Sequence, residues 1–152
     1  MRSGATLAIA VLLATSALPI CGSSLDSKSP DMESILALES RASQAQPREQ
    51  CFLYAELVHQ MTELSVKQYA AGDVGKATDL LKRVQQFAQK IHLSMAQNDK
   101  RIKNAEILLS HTVFRLTEML HATSFEDRES VQAALTDVTQ AQKETMFQVF
   151  KK

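Results

Sequence analysis

The stretch that decides the fold runs from Ala77 to Met119 and reads ATDLLKRVQQFAQKIHLSMAQNDKRIKNAEILLSHTVFRLTEM. Its apolar side chains recur at alternating steps of four and three residues, which places them on one face of an α-helix. The main members of this stripe are Ala77, Leu81, Val84, Ala88, Ile91, Met95, Ile102, Ala105, Leu109, Leu116 and Met119. No Gly or Pro follows Gly75, whereas a sheet needs such turn residues at short intervals. The sequence therefore predicts an all-α fold.

Two arrangements fit this spacing. In the first, the helix breaks at Gln97-Asn98-Asp99, where Asn98 adopts a left-handed conformation and Asp99 caps the next helix. In the second, one helix continues over 73–122 in a three-helix arrangement, and Asn98 is a polar residue in an apolar seam. We favour the break because helices of equal length, about 25 residues each, close the core of an up-and-down bundle. The prediction is an antiparallel bundle of helices 47–71, 73–97, 99–122 and 125–151, with a short N-terminal helix over 31–46.

Several residues predict where these helices begin and end. Gly72 is typical of the left-handed residue after a helix, and Asp73 is a good N-cap for the next one. Ser124 with Asp127 resembles a capping box at the start of the last helix. Cys51 falls beside apolar neighbours in the helix that starts at Pro47, which indicates a small buried side chain.

A faint internal repeat connects two pairs of helices. The segment HQMTEL (59–64) matches FRLTEM (114–119) at an offset of 55, and a second set of matches has an offset of 54. The segment KQYAAGDVGKATDLLKRV (67–84) resembles the turn of a tetratricopeptide hairpin, although the spacing differs from the period of about 34 residues in such arrays. The segment REQCFLYAELVHQMTEL (48–64) is similar to short, exported, all-helical bacterial proteins, a resemblance that implies no activity. We expect a helical hairpin, not a solenoid.

The first 22 residues have the pattern of a signal peptide. Arg2 is followed by the uncharged stretch ATLAIAVLLATSALPI (5–20), and small residues suited to cleavage occur between 16 and 23. The prediction is an exported protein, periplasmic or secreted, with a polar linker over 23–30 and a helical domain over 31–152. Two alternatives are a membrane anchor formed by 5–20 and lipidation at Cys21, where Leu18 matches a lipobox but Ile20 does not.

Charge and motif content argue against several function classes. Without residues 1 to 22, which contain Arg2 and no acidic side chain, the formal charge is −1, so bulk attraction to nucleic acid is not indicated. No phosphate-binding glycine loop or catalytic constellation can be assembled from the spacing. We therefore predict neither an enzyme nor a cofactor, and favour a helical module that binds a protein or an envelope surface.

Two Glu-x-x-His pairs raise metal binding as the alternative function. Glu56 with His59, and Glu118 with His121, have the spacing that di-iron bundles use. Such a site needs four inward-facing carboxylates, whereas these residues lie opposite the apolar stripe of their helices. We interpret them as solvated helix-face residues and keep a metal-binding bundle as the alternative.

Basic residues near the middle of the chain are the candidate partner-binding site. Lys100, Arg101 and Lys103 would form a basic tip for an anionic partner, although pairing between adjacent helices would also account for the local excess of cations. The apolar stripe from 77 to 119 offers a further alternative, association between copies in a homo-oligomer.

Overall fold

The computed structural model describes residues 29–95 and 100–151 and shows five α-helices, with no strand in those ranges. They are α1 (Met32–Gln44), α2 (Pro47–Ala70), α3 (Val74–Ser94), α4 (Ile102–Ala122) and α5 (Arg128–Phe150). The predicted all-α class is confirmed. The predicted break is also confirmed, because α3 ends at Ser94 and α4 begins at Ile102. The alternative of one helix over 73–122 is wrong.

The helix ends differ in detail from the sequence prediction. The N-cap position of α4 is Arg101, in the left-handed region at φ 70°, so the predicted helix start at Asp99 is wrong. Asn98 and Asp99 themselves lie outside the described residues. The α5 helix begins only at Arg128, because the Ser124 hydroxyl donates to the Asp127 carboxylate at 2.7 Å within a turn instead of forming a capping box. A true capping box joins Asp31 and Ser34 at the start of α1.

Two antiparallel hairpins make up most of the molecule. The first joins α2 to α3 through Gly72, whose φ of 85° is a conformation that glycine adopts without strain. The Ser65 hydroxyl donates to the carbonyl of Ala77 at 3.0 Å and so ties the two helices together near this turn. The second hairpin joins α4 to α5 through the turn that precedes Arg128.

The two hairpins stack so that the first helix of one lies beside the first helix of the other, and the second beside the second. Helix α2 packs on α4 and α3 packs on α5. Hydrogen bonds join His59 of α2 to Thr112 of α4, and Tyr69 of α2 to Ser124 just after α4, residues 53 and 55 apart. Because the residue numbers of both partners increase in the same direction along the contact, these neighbouring helices run parallel. The helices are therefore antiparallel within each hairpin, as predicted, and parallel between hairpins, which an up-and-down order would not give.

Helix α1 forms a third layer. It packs on α2, and the Glu39 carboxylate pairs with Arg83 of α3. Its buried residues are Ile35, Leu38 and Ala42. The α2–α3 hairpin thus lies between α1 on one side and the α4–α5 hairpin on the other.

The apolar stripe that decided the fold class is the inside of the bundle. Its buried members are Ala77, Leu81, Val84, Ala88, Ile91, Ala105, Leu109, Leu116 and Met119. These residues are covered within one chain, and association between copies stays a prediction. Cys51 is 1% exposed, as the sequence indicates.

Candidate protein-interaction surface

Three of the four candidate metal ligands, Glu56, Glu118 and His59, contact other residues. Glu56 pairs with Arg41 of α1 at 3.1 Å, and Glu118 pairs with Arg115 at 2.8 Å. His121 lies at the end of α4, beside a groove of about 640 Å³ that Phe125 and Glu129 also line. Within the described ranges, no three His, Cys, Asp or Glu side chains are grouped so that they could hold a metal ion.

His59 lies in the seam between α2 and α4 and has a defined tautomer. Its Nδ1 is 3.1 Å from the Thr112 hydroxyl oxygen, and that hydroxyl donates its own proton to the carbonyl of Leu108 at 2.7 Å. The Thr112 oxygen must therefore accept, so Nδ1 of His59 carries the proton and Nε2 keeps its lone pair.

The charge state of His59 follows from its surroundings. Burial lowers the pKa of His59, and the electrostatic interactions of its ring with His111 and Arg115 act in the same direction. The carboxylates of Glu63 and Glu56 oppose this shift but do not reverse it. The ring is a neutral link between the two hairpins.

Arg115 is the main ionic link between the hairpins. Its Nε and Nη2 donate to the two carboxylate oxygens of Glu63 at 2.8 and 3.2 Å, and Nη1 donates to Glu118 at 2.8 Å. These hydrogen bonds raise the pKa of Arg115 above its already high value. The planar guanidinium thus holds one carboxylate from each hairpin in a fixed geometry.

The predicted basic tip is only partly available to a partner. The guanidinium of Arg101 stacks on the Phe52 ring, with 3.4 Å between its carbon and the ring centroid, so Arg101 fastens the start of α4 to α2. Lys100 and Lys103 are exposed. Arg101 is also exposed but packs on Phe52, so Lys100, Arg101 and Lys103 stay a predicted partner-binding cluster.

Large apolar side chains are exposed on the side of the α4–α5 hairpin that faces away from α2 and α3. On α4, Ile107 and Phe114 are 44% and 63% exposed. On α5, Met146 and Phe150 are 40% and 78% exposed. We call these four residues, with the polar side chains between them, the outer face.

The two rows of the outer face adjoin across one hydrogen-bonded seam. Ile107, Ser110 and Phe114 follow at helical spacing on α4, and Gln142, Met146 and Phe150 do so on α5. The Gln142 amide donates to Ser110 at 3.4 Å and to Glu106 at 3.0 Å, so the two rows meet at Gln142. Because α4 and α5 are antiparallel, Met146 and Phe150 lie from there toward the start of α4, and Phe114 lies toward the turn. Four apolar side chains at helical spacing form a patch, in contrast to the single exposed apolar residues that are normal on surfaces.

The internal repeat explains why this face is apolar. At the offset of 55, Phe52 corresponds to Ile107 and His59 to Phe114; at the offset of 54, His92 corresponds to Met146. In the first hairpin these are the residues that contact the second one, because His59 bonds to Thr112, Phe52 lies under Arg101, and His92 bonds to Glu144 at 2.6 Å. The outer face therefore occupies the position that the first hairpin uses for stacking.

Sequence reasoning missed this surface although it noticed the repeat. Ile107 and Phe114 lie outside the three-four stripe, so periodicity alone treats them as solvent-facing. When FRLTEM is aligned with HQMTEL, Phe114 takes the place of His59, and this difference was the available signal of an exposed apolar position.

No protein-family model, no curated protein and no solved structure matches the chain. The resemblances to a tetratricopeptide hairpin and to short exported helical proteins therefore stay predictions. Among the helices in the described ranges, none combines the length and apolar character that crossing a membrane requires. Residues 1–28, which include the predicted signal peptide, the possible anchor 5–20 and Cys21, lie outside the described residues.

Proposed function

We propose that this chain is an exported, non-enzymatic helical module that binds a protein partner through the outer face of the α4–α5 hairpin. The observation that carries the proposal is the exposure of Phe114 and Ile107 at the repeat positions that the first hairpin uses to bind its neighbour. A surface built like an internal helix–helix interface is suited to a helical protein surface.

The chemistry of the outer face favours a protein over an anionic lipid surface. Its centre carries aromatic and aliphatic side chains with Ser110 and Thr139 between them. Two exposed lysines, Lys103 and Lys143, lie among these apolar side chains. Exposed aromatic residues and Met are enriched at protein interfaces, where Lys is depleted.

Site-specific photo-cross-linking in producing cells tests the proposal. A benzophenone amino acid at position 114 should yield adducts with a protein, because Phe114 is 63% exposed, more than Ile107, the other apolar residue that α4 contributes to the face. The matched control is position 36, since Leu36 is also apolar and 53% exposed but belongs to α1. Equal adducts at both positions, or none at position 114, would contradict the proposal.

Export is the second part of the proposal and is supported by the pattern of residues 1 to 22. N-terminal sequencing of the protein recovered from its producing cells should find a start between 17 and 24. An intact Met1 would contradict cleavage, and a lipid-modified Cys21 would replace a soluble exported form by an anchored one.

A further inference from the structure

A cavity of about 470 Å³ lies where the last turn of α1, the start of α2 and the start of α4 meet. A volume of this size accommodates a small molecule. Two arginines, other polar side chains and apolar side chains form its wall, which includes Arg41, Gln44, Glu49, Phe52, Leu53 and Arg101. None of these residues belongs to the outer face, so the cavity is a separate site.

Arg101 presents to this cavity a guanidinium group that is fixed in place by stacking. Its carbon lies 3.4 Å from the centroid of the Phe52 ring, which covers one face of the group and leaves the N–H donors at its edge. In the described ranges, no carboxylate forms an ion pair with Arg101. The backbone φ of Arg101 is 70°, a conformation that is uncommon for residues other than glycine and that concentrates at ligand sites. Arg101 is therefore a pre-positioned donor for an anion.

Arg41 supplies a second guanidinium group from the α1 side of the cavity. One of its nitrogens, Nη2, donates to Glu56 at 3.1 Å, and the side chain is 61% exposed. In Arg115, by contrast, Nε, Nη1 and Nη2 all donate to carboxylates. The Nε and Nη1 groups of Arg41 form no hydrogen bond with the described residues, so they can donate to a ligand in the cavity.

We infer that this cavity binds a terminal phosphate group, held between the guanidinium groups of Arg41 and Arg101. One guanidinium edge is enough for a carboxylate, as the two bonds from Arg115 to Glu63 show. A terminal phosphate has three exposed oxygens and a larger negative charge, so it can accept from two guanidinium groups at once. The phosphate belongs to a small phosphomonoester or to a lipid headgroup, since both present the same three oxygens.

The charges around the cavity favour an anionic ligand. Arg48 at the start of α2, with Lys100 and Lys103 at the start of α4, are exposed cations at the same end of the molecule. Their combined positive potential attracts an anion toward the cavity. The opposing charge on the wall is the exposed carboxylate of Glu49. The cluster that the sequence predicts to bind an anionic partner thus adjoins a concave site with two guanidinium groups.

Titration of the isotope-labelled full chain with sodium phosphate, at an ionic strength held constant with sodium chloride, tests the inference. The Nε–H signals of Arg41 and Arg101 in nuclear magnetic resonance spectra should shift and saturate together. Arg41→Gln should raise the dissociation constant for phosphate about tenfold or more. Arg48→Gln is the matched control, because it removes the same charge from a residue that does not line the cavity, and should stay within about threefold of the wild type. Signals that do not saturate, or equal weakening by both variants, would overturn the inference.

Two further variants test the geometry of the site. Arg101→Lys keeps the positive charge but removes the planar donor group, so it should raise the dissociation constant about threefold or more. Glu49→Gln removes the opposing charge and should lower the dissociation constant about threefold. Thermal unfolding confirms that each variant is folded. Unchanged affinity in Arg101→Lys, or weaker binding in Glu49→Gln, would place the anion outside the cavity and overturn the inference.

The source of the phosphate group is identified with two probes, glycerol 3-phosphate and phosphatidylcholine vesicles that contain phosphatidic acid. Binding of glycerol 3-phosphate without binding to the vesicles supports a small phosphomonoester as the ligand. Binding to the vesicles that Arg41→Gln abolishes supports a lipid headgroup. Vesicles with phosphatidylglycerol in place of phosphatidic acid are the control, because their phosphate is a diester. Equal binding to both kinds of vesicle, unaffected by Arg41→Gln, would contradict a headgroup in the cavity.

Discussion

The hairpin of α2 and α3 is covered on both sides, by α1 and by the second hairpin, whereas the hairpin of α4 and α5 is covered on one side only. The consequence is visible in the first helix of each. Ten residues of α2 are buried, and they extend around most of the helix; five residues of α4 are buried, all on one stripe. The two hairpins are related by a repeat but differ because of their place in the stack. The α4–α5 hairpin keeps an apolar face that none of the residues 29–95 and 100–151 covers.

The largest expected effect compares Phe52→Ala with Ile107→Ala, at equivalent positions of the repeat. Phe52 is 8% exposed and carries the Arg101 guanidinium, so its loss should lower the free energy of unfolding by about 3 kcal/mol. Ile107 is 44% exposed and should cost less than about 1 kcal/mol.

Urea unfolding, at a concentration where the chain is monomeric, measures both values. Equal losses would show that the second hairpin is also covered within one chain and would remove the difference between the hairpins.

The next effect concerns the ionic contacts on the two sides of α2. Arg115→Met removes the guanidinium that binds Glu63 with two bonds, and should cost about 1 kcal/mol after allowance for partial solvent screening. Arg41→Met removes one bond from a side chain that is 61% exposed, and should cost less than about 0.5 kcal/mol. Thermal unfolding of the two variants measures the difference. A larger loss of stability for Arg41→Met would show that the ionic contact between α1 and α2 is stronger than the one between α2 and α4.

The sequence predicts the burial of each helix better than it predicts which helices pack together. The three-four spacing specifies which side of a helix is buried, so the class, the five helices, the break and the burial of Cys51 could all be predicted. The spacing does not specify which helix covers the buried side, so the parallel pairing of α2 with α4 could not be predicted from it.

The same contrast applies to the candidate site, where the spacing predicts which residues are off the buried stripe but not which residues they contact. Glu56 and Glu118 were correctly placed off the apolar stripe, but their pairing with Arg41 and Arg115 depends on neighbours that are remote in sequence. The role of Arg101 also depends on a distant residue, Phe52. The outer face was accessible only by combining the repeat with the knowledge of which positions stack.

A smaller effect is expected at another equivalent pair, Thr62 and Thr117. The Thr62 hydroxyl is fully buried and has no hydrogen-bond partner among the described residues, so Thr62→Val should stabilise the chain by about 1 kcal/mol. The Thr117 hydroxyl donates to the carbonyl of Val113 at 2.8 Å and is partly exposed, so Thr117→Val should change stability by less than about 0.5 kcal/mol. Denaturant midpoints measure both, and a destabilised Thr62→Val would show that its hydroxyl has a partner.

The smallest effect is a pH dependence of the stability that arises from His59, between the two hairpins. Burial lowers the pKa of His59 below its ordinary value of 6.5, so the unfolded chain binds a proton more readily than the folded one. This contribution to stability is present above pH 6.5 and is lost as pH falls from there through the folded pKa. His59→Gln should weaken that slope, because an amide can donate to Thr112 without titrating. His121→Gln is the control, because that exposed ring lies at the far end of α4. Unfolding measured between pH 5 and 8 should show the slope in the wild type and in His121→Gln, and a smaller one in His59→Gln. An unchanged slope in His59→Gln would show that the ring is not held neutral between the two hairpins.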